Sequence, residues 1–122
     1  MSDAFQSGDY GFSAAIRTKE LLFCSGQVGI AVDGSIPQDA AHQYALAFEA
    51  LGKLLAAEGC SVSDIVDLTT FHTQFPNHMN IFMKEKSRFL GKALPAWTAV
   101  GVEALGYPET LVEIKAIAKI PT

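Results

Sequence analysis

Residues 111–120, LVEIKAIAKI, alternate in a way that decides the architecture. Val112, Ile114, Ala116, Ala118 and Ile120 fall on one face of an extended strand, because successive side chains point to opposite sides. They are apolar and mostly small, as strand residues packed beneath helices must be. The other face, Leu111, Glu113, Lys115, Ile117 and Lys119, is neither clean solvent surface nor clean core. The stretch before it behaves similarly, with Thr98, Val100 and Val102 on one side and Ala99, Gly101 and Glu103 on the other. A sheet with one helix-covered face and one mixed aliphatic and charged face predicts subunits that associate through the mixed face. Clefts at such a boundary are natural ligand sites.

Working outward, residues 12–16 and 21–25 read as a short hairpin around Thr18-Lys19-Glu20. The segment SGQVG, 25–29, should end the second strand, and Val32-Asp33-Gly34-Ser35 supplies a turn. Residues 37–58 read as a helix whose Tyr44, Phe48, Leu51 and Leu55 form one apolar stripe, with Gly59 placed to end it. A β-branched strand follows at 65–73. A second helix at 77–90 carries Met79, Phe82, Met83, Lys86, Phe89 and Leu90 at helical spacing, read as core, before Gly91. The order β-β-α-β-α-β-β predicts an α+β domain, two helices on one face of a mixed sheet, spanning residues 1–122.

Composition removes several function classes. A chain of 122 residues with 49% hydrophobic and 18% charged residues is a single compact domain. No apolar run approaches the roughly 20 residues that span a bilayer. The first twelve residues, MSDAFQSGDYGF, contain no apolar leader region, so a cytoplasmic protein is expected. The net charge of −4 and the scatter of the nine basic residues speak against nucleic acid as a partner. Lys84, Lys86, Arg88 and Lys92 form the nearest approach to a basic group, and a solvated helix face accounts for them. Cys24 and Cys60 stand in apolar surroundings without CxxC spacing and read as buried free thiols.

Residues with chemical potential are few. His42, His72 and His78 show no metal-ligand spacing, and no phosphate loop, dinucleotide fingerprint or nucleophile elbow occurs, so neither metal nor cofactor is expected. His72, in TFHT, reads as a structural histidine on a strand. Trp97, the sole tryptophan, stands where a strand opens after Leu94-Pro95-Ala96. Arg17 and Lys84 are cations of unassigned direction.

Four stretches, FSAAIRTKELLFCSGQVG (12–29), GCSVSDIVDLTTFHT (59–73), PAWTAVGV (95–102) and VEIKAIAKIP (112–121), resemble the reactive intermediate deaminase family. That family is also called Rid or YjgF and carries the label endoribonuclease L-PSP. The tryptophan after Pro-Ala is similar to the YjgH-type subgroup. The resemblance implies a chorismate-mutase-like fold and a homotrimer with three inter-subunit clefts. It also implies hydrolysis of enamines and imines to 2-keto acids and ammonia without metal or cofactor. Carried over by position, Glu113 corresponds to the glutamate that places the attacking water. Ser25 and Gly26 match pocket-lining residues, and Thr98 matches a small polar one. Trp97 stands in place of an arginine that clamps the substrate carboxylate, and Phe12 in place of a tyrosine. A carboxylate cannot be forked by an indole as it is by a guanidinium. The expectation is therefore a small-molecule cleft that keeps the hydrolytic carboxylate and takes a less acidic or more aromatic ligand stacked on Trp97 and Phe12. A second reading has Trp97 filling interface volume. Two further functional readings stay open, a non-catalytic trimer that binds a metabolite or protein, and an endoribonuclease or translation inhibitor. The acidic charge and the lack of paired histidines count against the last.

Overall fold

The computed structural model describes residues 11–122, so the expectation about an absent leader at 1–10 lies outside the described residues. Five strands form one sheet in the order β1-β2-β5-β3-β4. They are β1 (Ala15–Arg17), β2 (Leu21–Gln27), β3 (Ile65–His72), β4 (Ala96–Gly101) and β5 (Val112–Lys119). All neighbours are antiparallel except β3 and β4, whose parallel pairing needs the crossover made by helix α2 (Met79–Leu90). Helix α1 (Ala40–Ala57) joins β2 to a 3-10 turn at Val62–Asp64 that leads into β3. The α+β arrangement of two helices over a mixed sheet is the one expected.

Helix α1 starts at Ala40, later than the expected residue 37, because Asp39 caps it. The Asp39 carboxylate accepts the His42 backbone N–H at 2.9 Å, worth about 1 kcal/mol relative to alanine. Its far end closes at Gly59, whose φ of +80° is a left-handed position that suits glycine. The stripe of Tyr44, Phe48, Leu51 and Leu55 is buried as expected, joined by Gln43 and Ala47. Helix α2 starts at Met79 because His78, at φ 70°, cannot be helical. Its buried residues are Phe82, Glu85 and Leu90, while Met79 and Phe89 pack partly against the core. Met83 is corrected from core to surface, and Lys86 belongs to the edge of the apolar face.

Phe82 ties the layers together. Its ring meets Tyr44 edge-on at 5.2 Å, Phe48 at 5.4 Å and His72 of β3 edge-on at 4.6 Å. Phe48 stacks on Phe89 at 4.9 Å, completing the seam between the helices. Buried Gln43 fastens α1 to the segment entering β5, donating to the carbonyls of Pro37 and Glu109 and accepting the Leu111 N–H. Cys24 and Cys60 are buried free thiols, and burial followed by the neighbouring Cys60 pushes the Cys24 pKa up to about 11. Neither is a poised nucleophile.

Several strand ends differ from expectation, three of them beside the expected site residues. β1 begins at Ala15, leaving Phe12 on the approach to it. β2 continues through Gln27, and its register to β5 breaks between Cys24 and Gln27. β4 ends at Gly101, so Val102 and Glu103 lie beyond the alternation.

Candidate functional site

Two corners of the sheet gather most of the expected residues, and they lie on opposite faces. On the free face, Glu113 of β5 stands opposite Phe71 of β3, which in turn pairs with Val100 of β4. The register break in β2 brings the backbone at Ser25-Gly26 against the Glu113 side chain. A Cβ added at Gly26 would lie 2.2 Å from Glu113 Oε2 and 2.5 Å from its Cγ. Glycine at 26 is thus the residue that lets the carboxylate lie across β2. Ser25 fixes the neighbouring segment: its Oγ donates to the Ser13 carbonyl at 2.6 Å and its N–H to the Ala14 carbonyl at 2.8 Å. Phe12, 38% exposed, leads into that anchored stretch. Thr98 shares the free face, in the row Lys115–Thr69–Thr98, two strands and so about 10 Å across the sheet from β5.

Trp97 pairs with Leu68 in the parallel ladder, so it points to the helix-covered side. Its indole N–H donates to Thr70 Oγ1 at 3.0 Å, and Thr70 Oγ1 lies 2.7 Å from Nε2 of buried His72. A hydroxyl with one proton and two lone pairs can take the indole N–H while serving the imidazole in either tautomer. His72 Nδ1 has no hydrogen-bond partner among the described residues, and burial lowers the ring's pKa from its ordinary 6.5. His72 is therefore a structural histidine as expected, although only one of its nitrogens is satisfied. The Trp97 ring lies 6.2 Å from Phe82, and Lys86 Nζ sits 4.2 Å from its centroid. Such a cation–π contact contributes roughly 0.5–2 kcal/mol, more as water is excluded.

Ser25, Gly26 and Glu113 thus converge within one chain, with Thr98 on the same face, whereas Trp97 lies behind the sheet edge. Within one protomer Trp97 and Glu113 cannot touch a common small ligand. Arg17 is occupied by the Glu58 carbonyl and carboxylate, the latter at 3.6 Å. Lys84 opens into a cavity of about 790 Å³ between the starts of the two helices, bordered by Asp39, His78 and Glu109. Thr70 and Lys86 were missed as partners of Trp97. The signal for Thr70 was its two-residue spacing from His72, whereas the contact with Lys86 depends on how α2 crosses the sheet. Among the described residues no three His, Cys, Asp or Glu side chains gather to hold a metal.

A model of the family described as endoribonuclease L-PSP matches residues 3–120. The chain belongs to this family, known also as Rid or YjgF. It is 46% identical over 114 residues to the RutC family protein YjgH of Escherichia coli K12, covering 93% of this chain and 86% of that one. It is 30% identical over 109 residues to 2-iminobutanoate/2-iminopropanoate deaminase of Mus musculus, covering 88% of this chain and 79% of the mouse protein. A solved structure of protein YJGH superposes with a TM-score of 0.85 at 44% identity, covering 94% of this chain and 88% of that one. Rid-family membership therefore accounts for the sheet order, the SGQ turn and the terminal strand together. No helix among the described residues is long and apolar enough to cross a membrane.

Proposed function

We propose that this Rid-family chain is a hydrolase acting on the C=N bond of a small imine or enamine tautomer. The observation that carries the reading is the seating of the Glu113 carboxylate across Gly26, on the face left open by the helices. A carboxylate held in that way can take a proton from water as its oxygen attacks the imine carbon. Glu113 then returns the proton to nitrogen, giving an amino alcohol, and next carries its hydroxyl proton to the same nitrogen, so that the C–N bond breaks, ammonia leaves and a carbonyl remains. Water supplies the oxygen, and every proton needed comes from that water and passes through Glu113.

The cleft is completed by a second copy, in a homotrimer assembled through the free face. Ile16, Phe23 and Val100 are exposed there, which suits burial against another chain. Phe12, Ser25, Gly26 and Thr98 line the cleft from one side, and the Trp97 edge of the neighbouring copy closes it. Buried free thiols suit a reducing cytoplasm. A second reading, a trimer that binds a metabolite without turning it over, is favoured by one observation: the indole N–H of Trp97 is already committed to Thr70 inside its own protomer.

Ammonia release from freshly generated 2-aminoacrylate and 2-iminobutanoate separates these readings. The expected result is turnover by the native protein that falls at least about a hundredfold in Glu113→Ala, with the oligomer intact. Native turnover that persists in Glu113→Ala would remove the carboxylate from the mechanism. Silence of the native protein toward both imines, regained in Trp97→Arg, would favour the binding reading.

A further inference from the structure

An imine that carries a carboxylate, as the named substrates of the mouse relative do, must meet a cation in its site. Among the described residues three cations are already paired with carboxylates. Arg17 pairs with Glu58, Lys53 with Glu49 and Arg88 with Glu85. Lys84 faces the cavity between the helix starts, away from the Trp97 corner. Lys19, Lys86, Lys92, Lys115 and Lys119 make no ion pair with a carboxylate among the described residues, and of these Lys86 is the one whose ammonium is held on an aromatic ring, that of Trp97, at 4.2 Å. That contact engages the charge with the ring's π face and leaves N–H donors for an anion. It also restricts a side chain that otherwise loses much freedom on binding.

The pair sits at the β4 edge of the sheet, where another chain can approach. Glu113 lies on the opposite face, so the two serve one ligand only when one copy presents its Lys86–Trp97 edge to the Glu113 face of the next. We propose that Lys86 is the carboxylate-binding cation of the cleft, and that Trp97 is the platform that holds its ammonium in place. On this assignment the ligand is an acidic imine or its 2-oxo acid product, not a neutral ring stacked on the indole. The inference rests on the shared-cleft reading above, and the experiment keeps the two apart.

Trp97 is the only tryptophan, so its fluorescence reports directly on the pair. 2-Oxobutanoate is titrated into the native protein and the Lys86→Met, Lys86→Arg and Lys115→Met variants. Lys115 is the control, a lysine on the Glu113 face. The expected result is a saturable change in the native protein, weakened at least about tenfold in Lys86→Met and restored to within about threefold in Lys86→Arg. Lys115→Met should bind like the native protein. Equal affinity in Lys86→Met, loss in Lys115→Met instead, or no saturable change in the native protein overturns the proposal. Binding through Lys86 without ammonia release keeps this inference and defeats the hydrolase reading. Imine hydrolysis with the same KM in Lys86→Met defeats this inference alone.

Discussion

On β5, Val112, Ile114, Ala116 and Ala118 are each at most 1% exposed beneath the helices, while Glu113, Lys115, Ile117 and Lys119 on the same strand remain accessible. The covered side holds the chain together by apolar contact, at roughly 1.5–3 kcal/mol for each large aliphatic group sealed from water. The free side carries the proposed chemistry and the surface for other copies. The Trp97 corner complicates this division. It lies on the covered side, yet it holds a polar line from indole to hydroxyl to imidazole. Comparing the faces therefore teaches that burial alone does not sort residues into structural and functional.

The sharpest test of the contrast sets neighbours on β5 against each other. Ile114→Ala should lower unfolding stability by about 2–5 kcal/mol, since it leaves a cavity under the helices. Ile117→Ala should cost an isolated protomer about 0.5 kcal/mol. In the proposed trimer its effect should instead be larger at high protein concentration and shrink toward that value as dilution separates the protomers. Urea titrations at two protein concentrations give both values, and equal, concentration-independent losses would erase the distinction between the faces.

A smaller effect is expected at the polar corner. Thr70→Val removes the partner of both the Trp97 N–H and His72 Nε2, at about 1–3 kcal/mol, whereas Thr69→Val on the free face should stay within about 0.5 kcal/mol. Matching urea midpoints for the two variants would reduce the Trp97 corner to packing.

The smallest effect is a pH dependence. Burial depresses the His72 pKa below 6.5, so the unfolded chain takes up a proton that the folded chain refuses. That stability is complete above the unfolded pKa of about 6.5 and is lost as pH falls toward the folded pKa. Urea midpoints followed from about pH 7.5 to about pH 5 should decline less steeply in His72→Gln than in the native protein. Parallel declines would assign the pH response to other groups.

The periodic elements were legible because each repeats a single rule many times. The α1 stripe and the β5 alternation appear in the structure as they read in the sequence. Boundaries shifted where one residue decides them: the Asp39 carboxylate at α1 and the left-handed backbone of His78 at α2. Met83 has core spacing but not core burial, because α2 presents only a narrow face to the sheet. Glu113 and Gly26 are far apart in sequence, and only the family resemblance joined them. Their contact depends on a register break that no local pattern announces. The Lys86–Trp97–Thr70 group needed the parallel pairing of β3 with β4, a long-range relation invisible to spacing.

The sheet order has a consequence for how the molecule comes into being. β5 is the last of the five strands to be synthesised, yet it lies between β2 and β3. Until it arrives, β1–β2 and β3–β4 are separate ribbons, each with an open hydrogen-bonding edge where the other half should be attached by way of β5. The helices then have two fragments to cover in place of one sheet. Completion of the domain is thus a late, long-range event, of the kind that makes folding slow relative to the formation of either helix. The strand that carries Glu113 is also the one that closes the fold, so a chain able to present that carboxylate is one that has finished folding.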